Sequence, residues 1–176
     1  MKFGTLTFRA VVDEPDLVAQ PIRDQIAAGA WREGVYASEI DSTLADTAAF
    51  CQAYEVAPES GANCIIVEAR GADGPFFAAC LVLASTQIDV NNKVKRALDA
   101  KKVSFAPREA ALQLSAMEFG GVTPIGLPAD LPILIDEKVL SQEYVIIGSG
   151  LRRSKILAHT QVLAGLSGAR VLEITK

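Results

Sequence analysis

Two glycine clusters and one carboxylate are the residues of this chain whose types and spacing could do chemistry. The first cluster is Gly120-Gly121 with Pro124, the second is Gly148-Ser149-Gly150, and Asp136 lies between them. Glycine reaches positive φ and lets a ligand or another strand come close. Pro124 fixes its own φ and keeps Thr123 extended. The pair describes a rigid main-chain surface. Unhindered backbone N–H groups at residues 148–150 could form a nest that accepts an anion or a developing oxyanion. Turn geometry alone asks for the same glycines and prolines, so both readings stand. Asp136 ends an apolar run and serves either as a site carboxylate or as a hydrogen-bond acceptor at a strand end. Ser149 reads first as a turn hydroxyl, because a nucleophilic serine needs a base and the single histidine, His159, is placed to cap a helix.

The elements that must position these residues follow from periodicity and punctuation. Residues 3–8 read as a strand. A helix follows, from Leu17 or Pro21 to Ala28, then a strand over 35–40 and a helix over 44–54 behind the capping residues Asp41, Ser42 and Thr43. Two apolar runs, 63–69 and 76–83, joined by the glycine-bearing segment 70–74, predict a hairpin. A helix over 91–98, a strand over 103–105 and a helix over 108–115 lead into the glycine-proline stretch. Strands are then expected at 133–135, 144–147 and 154–157, a helix at 160–166 and a last strand at 170–174. Strands grouped in hairpins favour α+β over a doubly wound sheet. Within the first hairpin, alternation turns Cys64 away from Asn63, toward packing.

Composition excludes several classes. With 176 residues, half of them hydrophobic, the chain suits one domain with a substantial core. Its longest apolar run, residues 76–84, is far shorter than the ~18 residues a membrane span needs. The first residues lack a signal-peptide core, so a cytoplasmic location is expected. Cys51, Cys64 and Cys80 are dispersed and odd in number, which predicts neither disulfides nor a zinc site. No metal and no cofactor are expected. Net charge is −4, so a strong non-specific nucleic-acid grip is not expected. Two basic clusters, Lys93 to Lys102 and Arg152 to Lys155, read first as solvated faces.

The order of segments around residue 120 resembles the YbaK/ProX family, whose domains deacylate mischarged aminoacyl-tRNA, either freestanding or associated with a synthetase. The family's GxxxP loop matches Gly120 to Pro124, its P-x-G turn matches Pro124-Ile125-Gly126, its strand ending in Asp matches the run to Asp136, and its glycine turn matches Gly148 to Gly150. The resemblance covers residues 37–176. Residues 1–34 lie outside it and are expected to extend the sheet-and-helix core of a single domain. The implied fold is α+β, a mixed, partly barrel-like sheet flanked by helices.

The implied activity is freestanding trans-editing, hydrolysis of the ester of a mischarged small amino acid. Such an ester is already activated. A placed water and oxyanion donors suffice, each good donor contributing roughly 3–4 kcal/mol. The resemblance assigns Gly120, Gly121 and Pro124 to the pocket wall, Asp136 to the substrate site or its scaffold, and Gly148, Ser149 and Gly150 to oxyanion or 3′-end contacts. The implied partner is the aminoacyl-tRNA 3′ end. A synthetase partner and a homodimer edge along residues 144–147 stay open.

One position departs from the family. Its strand opens with a lysine at the place held here by Asn63, or by Ala62 with a one-residue slip, and the nearest lysines in sequence are Lys2 and Lys93. Asn63 can donate and accept hydrogen bonds but brings no charge. The alternative reading is therefore a non-catalytic module that binds aminoacyl-tRNA or a nucleotide.

Overall fold

A long antiparallel hairpin organises the chain, and the computed structural model describes residues 1–30 and 33–176. Residues 31 and 32, inside the segment expected to extend the core, lie outside the described residues. In chain order the strands are β1 (Lys2–Phe3), β2 (Leu6–Thr7), β3 (Arg9–Ala10), β4 (Val35–Glu39), β5 (Ala62–Arg70), β6 (Pro75–Leu83), β7 (Lys102–Phe105), β8 (Ile133–Asp136), β9 (Tyr144–Gly148), β10 (Ser154–His159) and β11 (Ala169–Leu172). The helices are α1 (Gln20–Ala27), α2 (Thr47–Ala53), α3 (Lys95–Ala97), α4 (Arg108–Ser115) and α5 (Thr160–Ala164).

The hairpin β5–β6 pairs from Ala62↔Leu83 to Arg70↔Pro75. It lies inside a five-stranded mixed sheet of order β11-β8-β6-β5-β7, in which β8 runs parallel to both β6 and β11. A four-stranded antiparallel sheet of order β3-β4-β10-β9 makes the second layer. An isolated parallel bridge, Gly61↔Ile146, joins the two sheets without closing them into a barrel. The architecture is α+β.

The main core gathers apolar side chains of both sheets, among them Leu81, Ile135, Ile147 and Ile156, with Val18 and Ile22 from the N-terminal part. Phe8 is fully buried in a smaller cluster with Phe50 and Leu157. Each such side chain stabilises the fold by roughly 1.5–3 kcal/mol, so the N-terminal segment is tied to the sheets by its own apolar residues. No helix among the described residues is long and apolar enough to cross a membrane.

Local chemistry moves some boundaries. The strand expected over 3–8 is broken at Gly4, which sits at φ +58 with no room for a side chain beside the Tyr54 carbonyl. Asp41 caps only a short 3₁₀ turn, accepting from Thr43 N–H at 2.8 Å, and Asp46 restarts the chain as the cap of α2, accepting from Ala48 N–H at 3.1 Å. The helix expected over 91–98 is capped by Asp89 and opens as a wide turn over Val90–Val94 before α3. The helix expected over 108–115 coincides with α4.

Candidate functional site

Residues 118–122 and 148–152 are held against each other by main chain. Glu118 N–H donates to Gly150 O at 2.8 Å, and Gly150 N–H donates to Gly121 O at 2.7 Å. The approach is closer than any other residue type allows. A Cβ on Gly148 would stand 2.2 Å from Gly121 O and 2.5 Å from Val122 O, and a Cβ on Gly121 would stand 2.8 Å from Leu151 N. Arg152 fastens the pair from the side. Its backbone N–H donates to Glu118 Oε2 at 2.7 Å, and its guanidinium donates to Phe119 O at 3.0 Å and Ser42 O at 3.2 Å.

A cleft of about 490 Å³ opens beside this loop pair, bordered by the start of β5, the turn before α2, and α4. Asn63, Gly120 and Gly148 all line it, although they come from distant parts of the chain. Asn63 is held by Thr47, whose Oγ1 donates to Asn63 Oδ1 at 2.7 Å. That bond orients the amide and leaves its nitrogen as a donor. Cys64 lines the same cleft and packs against the main core. Burial pushes its thiol pKa up, which favours the protonated form.

The cleft also contains a lysine. Lys155, opposite Gly148 in the β9–β10 ladder, is only 7 % exposed and lines the cavity. Its ammonium donates to Ala45 O at 3.0 Å and lies 5.4 Å from the centre of the Phe50 ring. No carboxylate forms an ion pair with it among the described residues. Burial brings its pKa down to about 8, because a desolvated ammonium is disfavoured. The sequence reading missed this residue by placing it in a solvated basic cluster. The available signal was a lone lysine inside the run Ser154-Lys155-Ile156-Leu157, a strand otherwise suited to burial.

The remaining expected site residues do not line the cleft. Ser149 is fully buried. Its hydroxyl meets Ser154 Oγ at 2.8 Å and Ser154 O at 3.0 Å, and accepts from Leu151 N–H at 3.2 Å, so it braces the turn. Gly150 has its N–H committed to Gly121. Asp136 is fully buried, accepting from Ile174 N–H at 2.9 Å and Thr175 N–H at 3.0 Å on one oxygen and from Lys138 N–H at 3.1 Å on the other. It anchors the end of the chain to the end of β8. Gly121 and Pro124 are likewise absent from the cavity lining. His159 caps α5 through Nδ1, which accepts from Gln161 N–H at 3.2 Å. Among the described residues, no three His, Cys, Asp or Glu side chains group as metal ligands would.

Known structures share the fold. A candidate trans-editing enzyme for prolyl tRNA synthetase is 20 % identical with a TM-score of 0.75, over 89 % of this chain and 96 % of that one. A hypothetical protein is 18 % identical with a TM-score of 0.77, over 89 % of this chain and all 100 % of that one. A candidate signal transduction protein from Marinobacter aquaeolei VT8 is 14 % identical with a TM-score of 0.56, over 94 % of this chain but 30 % of that one. The sequence model of the aminoacyl-tRNA editing domain matches residues 41–166, from the cap of the turn before α2 through α5 to Leu166. With well over half of its length matched, the chain belongs to the aminoacyl-tRNA editing domain family, the YbaK/ProX family.

Proposed function

We propose that this chain is an aminoacyl-tRNA deacylase, acting in the cytoplasm on the ester of a mischarged small amino acid. The observation that carries the reading is the cleft, where Asn63 and the buried Lys155 ammonium meet the main chain at Gly120 and Gly148. Membership in the editing-domain family supports it, as does the trans-editing description of one structural neighbour. A cavity of about 490 Å³ that also admits the terminal ribose has room for a small side chain, which is the sieve an editing site needs.

In this reading Lys155 donates a hydrogen bond to the ester carbonyl, and Asn63 orients the ribose or the attacking water. Water adds to the carbonyl carbon, and the negative charge that gathers on oxygen is met by the ammonium. The ester C–O bond then breaks, and the ribose hydroxyl departs with the proton that water gives up. One preorganised donor to the oxyanion contributes roughly 3–4 kcal/mol in such a step. Gly121, Pro124, Ser149, Gly150 and Asp136 serve the same site as its scaffold.

The binding-only alternative draws on the neutral Asn63 at the family's lysine position. Lys155 answers it by bringing a cation to the same cleft from β10. Incubation with a panel of mischarged tRNAs decides. Release of a small amino acid faster than spontaneous hydrolysis supports the deacylase, and saturable binding with no turnover on any member supports the binding module.

A further inference from the structure

The cleft carries two aromatic rings left largely in water. Phe105, at the end of the edge strand β7, is 60 % exposed, and Phe119, in the 118–122 loop, is 51 % exposed. Both line the cavity. Leaving a large apolar side chain exposed forgoes roughly 1.5–3 kcal/mol. Two such rings at one cleft mark a surface awaiting a ligand. Arg108, the first residue of α4, lies with its guanidinium carbon 3.9 Å from the centre of the Phe119 ring and lines the same cavity.

The charge around these rings is opposite to that of the molecule. Arg108, Arg152 and Lys155 line the cleft against a single acid, Asp46, whereas the whole chain carries −4. A locally positive groove with exposed aromatic rings is the combination that holds single-stranded nucleic acid. The rings stack on bases without regard to sequence, and the cations meet phosphates. An apolar peptide would use the rings and leave the cations unmatched.

We propose that Phe105 and Phe119, with Arg108 stacked on Phe119, form the seat for the unpaired base at the 3′ end of an aminoacylated RNA. Arg152 and Arg108 supply the charge for its flanking phosphates. The seat rests on the deacylase reading, since it fixes the base whose ribose carries the ester.

The test uses the full chain and two RNA trinucleotides, one CCA with 2-aminopurine replacing the terminal adenine, the other ending in an abasic ribose. Stacking quenches 2-aminopurine, and a competition titration gives the affinity of the abasic probe. The base-bearing probe is expected to bind roughly 5- to 150-fold more tightly. That preference is expected to collapse in Phe105→Leu and Phe119→Leu, which keep apolar bulk and lose the ring, with thermal melts confirming that both variants fold. Equal affinity for the two probes, no saturable quenching at millimolar RNA, or a preference that survives both leucine variants overturns the seat. A wild-type protein that deacylates no tRNA but prefers the base-bearing probe sinks the deacylase reading alone. One that deacylates without any base preference sinks the seat alone.

Discussion

The paired loops 118–122 and 148–152 border the same cleft as the wall made by β5 and β10, and the two are built on opposite rules. In the loops the main chain is bonded largely to itself and its neighbours: Gly121 N–H with Glu118 O, Gly150 N–H with Gly121 O, Leu151 N–H with Ser149 Oγ and Arg152 N–H with Glu118 Oε2. On the wall Asn63 uses one atom on Thr47, and Lys155 uses one of its three protons on Ala45. On the proposed function, the glycine motif sets shape, while isolated polar side chains on the strands bind. The loops are where substitutions should break the site as a whole. The wall is where they should separate chemistry from folding.

The largest effect is expected at the loops. Gly148→Ala places a carbon 2.2 Å from Gly121 O, and overpacking of this kind costs about 3 kcal/mol. Deacylation should fall at least ~100-fold, together with stability in urea. A variant matching wild type in both assays would erase the distinction drawn here.

Lys155→Met sharpens it. Removing an oxyanion donor should lower kcat about 100- to 1,000-fold. The same change should stabilise the protein at pH 7. Holding an ammonium charged when its folded pKa is about 8 against the ordinary lysine value of 10.5 costs roughly 3 kcal/mol, and losing the partner of Ala45 O returns about 1–2 of that. The net gain is about 1–2 kcal/mol, read by urea unfolding. Loss of both activity and stability would assign Lys155 to the scaffold.

A pH series adds an independent reading. The ammonium discharges as pH rises through about 8, so deacylation above the spontaneous background should decline there by about tenfold per unit. Stability moves the other way. The folded pKa lies below the unfolded one, so between about 8 and 10.5 the unfolded chain binds more protons and wild-type stability climbs. The advantage of Lys155→Met should shrink across that window. Activity that stays level to pH 10 would remove the charged lysine from the chemistry.

Smaller changes are expected at Asn63 and Asp136. Asn63→Ala should lower kcat/KM about tenfold through one lost hydrogen bond to the substrate, with little change in melting temperature. Asp136→Asn removes a charged acceptor of three backbone N–H groups and should destabilise by about 1–3 kcal/mol. Below its melting point the folded variant should deacylate within about twofold of wild type.

Much of the fold is legible in the residues because its signals are local. The β5–β6 hairpin follows from two apolar runs around Gly71 and Gly74, and α4 from Pro107 ahead of a helix-forming segment. Asp46 took the capping role expected of residues 41–43, since several Asx and Ser/Thr side chains compete there and only tertiary packing chooses. The cleft was legible by half. Asn63, Gly120 and Gly148 stand out through a motif, whereas Lys155 comes to the same cleft as Asn63 across 91 intervening positions. Such a meeting is fixed by the arrangement of two sheets, and no spacing rule records it. Asp136 illustrates the converse, a strand-end carboxylate whose partners, Ile174 and Thr175, arrive only when the C-terminal residues dock.

Because Gly121 and Gly148 touch backbone to backbone, neither position of that glycine jaw can gain a side chain with which to change the size of the cavity. On the proposed function, drift in which amino acid is accepted is then written in lining side chains such as Ile65, Ala111 and Leu112 rather than at the two glycines. Relatives with different substrate preferences should accordingly diverge along β5 and α4 while their glycine jaw stays superimposable.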